Sequence, residues 1–180
     1  MLVENTYLSD VKLIKPRIYS DTRGLFYESY NENTFSSLGI EEKFVQDNHS
    51  QSKKNVLRGL HYQIEQPQGK LVRVVKGEVF DVAVDLRQSS PTFKQWVGVI
   101  LSETNQHMLW VPPGFAHGFL VLSEEATFLY KTTAYWAPQF ERTLRWDDPE
   151  LNIIWPIATQ PILSDKDAQG VSLSSAEVYL

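Results

Sequence analysis

Between Val79 and Arg87 the chain alternates strictly, with apolar Phe80, Val82, Val84 and Leu86 interleaved by Asp81, Ala83, Asp85 and Arg87. Successive side chains of a β-strand point to opposite faces, so this period of two predicts a strand with one apolar and one mixed face. Similar runs cover about 71–76, 96–101, 107–111, 117–122 and 126–133. Turn residues separate them at Lys76-Gly77, Ser89-Ser90-Pro91, Ser102-Glu103-Thr104-Asn105 and Pro112-Pro113-Gly114, at the spacing of a sandwich or small barrel. The expected class is all-β and mainly antiparallel, with a few short helices. Asn31 to Leu38 reads as one short helix, and Ser164-Asp165-Lys166-Asp167 as a capping box opening another brief turn. Asp21 to Glu28 reads as a turn leading into a strand with Phe26 and Glu28 on one face. That strand precedes the main run, so it suits pairing at a sheet edge, a partner subunit's edge included.

No repeat, linker or low-complexity stretch divides the 180 residues, and 42% hydrophobic content suffices for a sizeable core, so one domain over 1–180 is expected. The net charge of −5 and a pI of about 5.4 argue against nucleic acid as a partner, which requires clustered Lys and Arg. Any phosphate site must be local. With no cysteine, disulfides, thiolate metal sites and a cysteine nucleophile are excluded. No basic-then-apolar leader pattern opens the chain, and no run reaches the roughly 18 apolar residues of a membrane span. The expectation is a soluble, cytoplasmic protein that does not engage membranes.

Chemistry concentrates in Arg58-Gly59-Leu60-His61-Tyr62-Gln63, where a guanidinium and an imidazole stand three residues apart beside a glycine that lets another group approach. That pairing suits an anionic ligand with an acid–base reaction beside it. A second histidine, His117, follows the rigid Pro112-Pro113-Gly114 turn, and the two histidines read as one site. Taken singly, each candidate has a plainer role. His61 would be structural, Tyr130 core packing, Asp167 the far end of a helix cap, and Arg23 and Lys70 solvated; His117 is divided evenly between orienting a polar network and filling the core. Of Asp81 and Asp85, one is expected to support a buried lysine or histidine, with the choice open.

Eight elements in order change those odds: Asp21-Thr22-Arg23-Gly24, Gln46 to Ser50, Leu57 to Gln63, Gly69 to Arg73, Val79 to Arg87, Pro113 to Phe119, Tyr130 to Thr133, and Leu163 to Asp167. Over nearly its whole length the chain resembles the dTDP-4-dehydrorhamnose 3,5-epimerase family, cupin-type jelly rolls of nucleotide-sugar metabolism. The resemblance implies an isomerase that takes a proton from the carbon beside a 4-keto group and returns one on the opposite face, at C3 and then C5. On that reading His61 is the base, Asp167 orients its ring, Tyr130 is the acid across the sugar, and Lys70 faces the C4 oxygen. Substrate contacts fall to Arg58, Gln46, Asn48, His117, Glu141 and Lys166, with Arg23, Phe26 and Glu28 supplied by the other subunit of a homodimer through a segment at about 17–30. Trp136 stands where many relatives carry a tyrosine that stacks on thymine; indole offers a larger face.

Within the same fold the rival is a metal-dependent cupin. Pro112 to His117 fits the P-x-G-x-x-H motif, but the companion motif wants two histidines one residue apart, and the chain offers His61-Tyr62-Gln63. A carboxamide is a poor transition-metal ligand, so neither metal nor cofactor is expected. Further alternatives are a 3-epimerase acting at one carbon, a 3,4-ketoisomerase, and a sugar-nucleotide-binding module without chemistry.

Overall fold

The computed structural model describes all 180 residues, Met1–Leu180. Its strands are numbered in chain order. One six-stranded sheet runs in the order β1 (Leu2–Asn5), β2 (Lys12–Lys15), β10 (Met108–Val111), β7 (Lys70–Lys76), β12 (Glu125–Thr132) and β5 (Gln46–Lys53). A five-stranded sheet has the order β13 (Glu141–Thr143), β6 (Leu57–Gln63), β11 (Phe115–Val121), β8 (Glu78–Asp85) and β9 (Trp96–Ser102). A separate hairpin joins β3 (Tyr19–Asp21) to β4 (Gly24–Phe26), and every strand pair is antiparallel. The helices α1 (Glu32–Ser37) and α2 (Asp165–Ala168) are short, near the two positions the sequence predicts; Ser164 is the expected cap of the second, and Asn31 caps the first. Neither is long or apolar enough to cross a membrane.

Apolar side chains sort into three layers. Between the sheets, Val72, Val74, Leu109 and Phe128 of the larger meet Val79, Ala83, Leu101, Phe115 and Phe119 of the smaller. Outside the smaller sheet, Leu60, Val82, Val84, Leu86 and Leu120 are covered by the C-terminal stretch through Leu144, Leu151, Trp155 and Leu173. Outside the larger, Ile14, Leu71 and Met108 pack on Phe35 and Ile40, in and just after α1. The β8 strand is therefore buried on both faces, and its mixed face, carrying Asp81, Ala83 and Asp85, is the one turned into the sandwich. The strictly apolar face lies beneath the C-terminal cover.

One sequence expectation is revised in part, and one strand has no counterpart among the alternating runs. The turn at Asp21–Gly24 leads into a strand as expected, but that strand, β4, pairs with β3 in a hairpin and stops at Phe26, so Phe26 and Glu28 do not share a strand face. Glu28 is beyond it, accepting hydrogen bonds from Asn31 Nδ2 (3.0 Å) and Thr34 Oγ1 (3.1 Å). The β5 strand, Gln-Asp-Asn-His-Ser-Gln-Ser-Lys, carries no apolar alternation at all. It pairs with β12 along its whole length, because its inner face lines a polar cavity and its outer face meets solvent.

The site is shaped where β6 crosses β11. His61 pairs with His117 but Arg58 pairs with Phe119, so β6 carries one extra residue between the two pairs, a β-bulge. Residues three apart on a regular strand face opposite ways; the bulge turns both Arg58 and His61 toward the interior. Glycine is required here. A Cβ on Gly59, whose φ is +120°, would sit 2.6 Å from Gly118 Cα, and one on Gly118 would sit 2.6 Å from the Arg58 carbonyl oxygen. Gly118→Ala should therefore lower stability by about 1–3 kcal/mol, the usual range for overpacking, seen as a lower urea midpoint at unchanged slope. A midpoint equal to wild type would show that the crossing has room to relax.

Candidate active site

Between the two sheets, at one end of the sandwich, lies a cavity of about 330 Å³. The six-stranded wall contributes Gln46, Asn48 and Ser50 from β5, Lys70 from β7, and Phe128 and Tyr130 from β12; the five-stranded wall contributes Arg58, His61, His117 and Phe119. Tyr130 and His61 thus stand on facing walls. The rim carries Gln68, Trp136, Glu141 and Lys166, the last two joined by a 3.0 Å ion pair.

The helix cap and the site turn out to be one device. Ser164 Oγ accepts from the Asp167 backbone N–H at 3.2 Å and donates to Asp167 Oδ2 at 2.7 Å. This fixes the carboxylate so that Oδ1 receives His61 Nε2 at 2.5 Å and the Gly59 N–H at 3.3 Å. Asp167 is only 3% exposed. Burial works to raise its pKa, but the hydrogen bonds from His61, Ser164 and Gly59 together hold it below the ordinary carboxylate value. Burial is also the largest influence on His61 and lowers it; Asp167 pulls the other way, while the Lys166 and Lys70 charges add to the lowering. The two directions agree on the resting state: a neutral imidazole with its proton on Nε2 facing a carboxylate. Nδ1 has no protein partner and is not sealed from solvent, leaving a free lone pair at the cavity.

A second histidine–carboxylate pair lies deeper. His117 Nε2 is 2.9 and 3.0 Å from the two oxygens of Asp81, which is fully buried, and its ring stacks on Phe128 with centroids 6.1 Å apart. Burial raises the Asp81 pKa against the opposing pull of His117 and Lys70. Of the two aspartates in β8, Asp81 is thus the one that supports a histidine. Asp85 belongs to the turn beyond the strand, bonded by Arg87, Ser90 and Thr92. Lys70 Nζ donates to the His61 carbonyl oxygen at 3.2 Å, and burial brings its pKa down to about 8. Arg58 is aimed by Nε donating to Ser52 Oγ at 3.0 Å. Burial, with help from Glu141, raises the Tyr130 phenol, so it stays protonated at neutral pH.

Not every expected contact shares this cavity. Arg23 and Phe26 sit on the exposed hairpin, with the Arg23 side chain 88% exposed and paired to Asp21 at 2.5 Å; Glu28 lies between the hairpin and α1, bonded to Asn31 and Thr34. None of the three lines the cavity of its own chain. Residues not singled out from sequence also line it: Ser50, Gln68, Phe119 and Phe128. No group of three His, Asp or Glu side chains converges as a metal cage. Both histidines have Nε2 engaged by a carboxylate, and the Gln63 amide is taken up by backbone groups.

Chemically, a free imidazole nitrogen, an ammonium and guanidinium beside it, and a phenol opposite can remove a proton, hold the resulting oxyanion and return a proton on the other face. The comparisons with known proteins agree. The family model described as dTDP-4-dehydrorhamnose 3,5-epimerase matches residues 5–175. A protein of that name from Pseudomonas aeruginosa is 58% identical over 173 residues, covering 96% of each chain, and one from Salmonella typhimurium is 56% identical over 98% of this chain and 97% of its own. Among solved structures, the dTDP-6-deoxy-D-glucose-3,5-epimerase of Legionella pneumophila Philadelphia 1, in complex with dTDP-4-keto-L-rhamnose, superposes with a TM-score of 0.96 at 54% identity, covering 98% of this chain and 94% of that one. By sequence over nearly its full length and by its cupin-type jelly roll, the chain belongs to the dTDP-4-dehydrorhamnose 3,5-epimerase family.

Proposed function

We infer that this protein epimerises dTDP-4-dehydro-6-deoxy-D-glucose at C3 and C5 to give dTDP-4-dehydro-L-rhamnose, an isomerase step in making dTDP-L-rhamnose. The observation that carries the reading is the placement of His61 and Tyr130 on facing walls with Lys70 beside them. His61 Nδ1 takes the proton from C3, and the electron pair moves to the C4 oxygen. The resulting enolate is met by the Lys70 ammonium and the Arg58 guanidinium. The Tyr130 hydroxyl then protonates C3 from the opposite face as the carbonyl re-forms; His61 releases its proton to solvent and the Tyr130 phenolate takes one up, and with both groups reset the same sequence follows at C5. Each proton lost is replaced, with no net oxidation, so the chemistry calls for no cofactor. With both Nε2 atoms and the Gln63 amide already engaged, the donor set favours a metal-free site. Asp167 acts by fixing the tautomer and favouring the imidazolium that forms.

Gln46, Asn48, His117, Glu141, Lys166 and Trp136 are assigned to hold the nucleotide sugar. The exposed hairpin supports the homodimer reading: Tyr19, Leu25 and Phe26 are large apolar side chains left 54%, 54% and 71% uncovered. Arg23, Phe26 and Glu28 would complete the site of the other subunit, their guanidinium and ring serving diphosphate and base. On this reading residues 1–180 form one jelly-roll domain of a cytoplasmic enzyme.

The test is incubation with dTDP-4-dehydro-6-deoxy-D-glucose in heavy water, following deuterium at both carbons. Entry at C3 and C5 is expected; entry at C3 alone would indicate a 3-epimerase, and none would favour a ketoisomerase or a binding module. His61→Asn should lower exchange at both carbons by about 100- to 10,000-fold. Tyr130→Phe should slow product formation more than loss of the substrate proton. Equal, near-wild-type turnover in both variants would remove the mechanism.

The pH dependence follows from the two shifted groups. His61 works as a neutral base, so kcat/KM should rise through an apparent pKa below the usual ~6.5. Lys70 works charged, so the rate should fall again near about 8. Asp167→Asn removes the charge that raises the proton affinity of His61, so the residual activity should show its acid limb at still lower pH. A limb displaced upward would contradict the dyad.

A further inference from the structure

Trp136 is 58% exposed at the cavity rim, yet the chain that carries it is held at the Ala134 and Tyr135 carbonyls and at the Trp136 and Ala137 N–H groups. Gln68 Nε2 donates to the Ala134 carbonyl at 2.9 Å, and Gln46 Oε1 accepts from the Trp136 N–H at 3.0 Å. The central grip is Gln63. Its Nε2 donates to the Tyr135 carbonyl at 3.2 Å and its Oε1 accepts from the Ala137 N–H at 2.8 Å, so one carboxamide holds the backbone on both sides of Trp136. Gln63 is itself 2% exposed, its Nε2 also reaches the Gln66 carbonyl at 2.9 Å, and its own carbonyl is bound by the Tyr179 hydroxyl at 2.6 Å.

We propose that Gln63 is a positioning residue for nucleotide recognition, holding the Trp136 indole in its base-stacking pose before the ligand arrives. This rests on the stacking role given to Trp136 above. The physical reason is preorganisation: a protruding aromatic on an unheld loop must be ordered on binding, and that ordering weakens affinity. Only a side chain with a donor and an acceptor at one end can hold a carbonyl and an N–H two residues apart. Glutamine does this without charge. A histidine at position 63, as in a metal-binding cupin motif, would be too short and rigid to span them. Gln63 therefore acts on the base end of the ligand, apart from the proton chemistry at His61.

The test is a double-mutant cycle read by direct binding of dTDP to the full-length protein. Gln63→Ala and Trp136→Ala should each weaken binding roughly tenfold, and the double variant no more than about twofold beyond Trp136→Ala, because Gln63 acts through the indole. In turnover, Gln63→Ala should raise KM more than it lowers kcat. Independent losses multiplying to roughly a hundredfold in the double variant, or unchanged affinity in Gln63→Ala, would overturn the proposal. If the alanine variant does not fold, Gln63→Met keeps the volume and removes all three hydrogen bonds of the carboxamide. A ligand-free readout separates this idea from the functional reading. The Ala137 amide should be protected from hydrogen exchange in the wild type and lose that protection in the Gln63 variants, whatever nucleotide the wild type binds. Equal protection would mean the loop is held without Gln63. Wild-type protein that shows the protection but binds no dTDP would instead contradict the assignment of a nucleotide to this site.

Discussion

The near-contact of Gly59 with Gly118 governs the five-stranded wall of the cavity. Two strand backbones can approach this closely only where neither carries a Cβ, and the bulge there brings Arg58 and His61 onto one face although they are an odd number of residues apart. The same crossing exposes the Gly59 N–H to Asp167, so the carboxylate bonded to the His61 ring is also tied to the strand that carries it. Imidazole, guanidinium and the carboxylate bonded to the imidazole are placed by one local feature. On the opposite wall the register of β12 on β7 shifts between Thr127 and Phe128, and beyond that shift Asn48, Tyr130 and Val72 stand in register across β5, β12 and β7, which sets the phenol against the imidazole.

Burying Lys70, Asp81, His117 and Asp167 in so small a volume is tolerable because each has a partner. Asp167 is bonded by His61, Ser164 and Gly59; Asp81 is bonded by His117; Lys70 is bonded by a carbonyl and feels the Glu141 and Asp81 charges. No buried side-chain nitrogen or oxygen is left unpartnered. Burial brings the Lys70 ammonium down to about 8 and lowers the His61 imidazole, so at neutral pH the lysine keeps its charge and the imidazole is neutral. The Tyr130 phenol moves the other way and keeps its proton. Environment thus separates one acid from one base, a common arrangement in sites that take and return protons.

Strands with apolar alternation, such as β8 and β12, were legible because their faces are decided by burial. Both short helices were legible, the second from its Ser164 cap, since a cap is a local interaction. The β5 strand was not, because its inner face lines a polar cavity where the hydrophobic pattern carries no signal. Motif frames located His61, Lys70, Tyr130 and Asp167, and the structure brings the first three to one cavity with Asp167 behind His61. The choice between Asp81 and Asp85 was hidden, because both are buried in one strand and only the third dimension puts Asp81 under His117. Gln63 was likewise opaque: its targets lie more than 70 residues away in the chain, and nothing local marks a glutamine as a clamp. In the Asp167 assignment, cap and orienting carboxylate read as competing roles in the sequence; the residue fills both.

The central claim is that Asp167 holds His61 as the Nε2–H tautomer with Nδ1 free toward the cavity. Long-range ¹H–¹⁵N correlation spectra of the imidazole, taken above its titration in wild type and Asp167→Asn, test it directly. The expected result is a protonated Nε2 and an unprotonated Nδ1 in the wild type, with mixed or reversed tautomers once the carboxylate is gone. A protonated Nδ1 in the neutral wild-type ring would contradict the account, because no lone pair would then face the sugar.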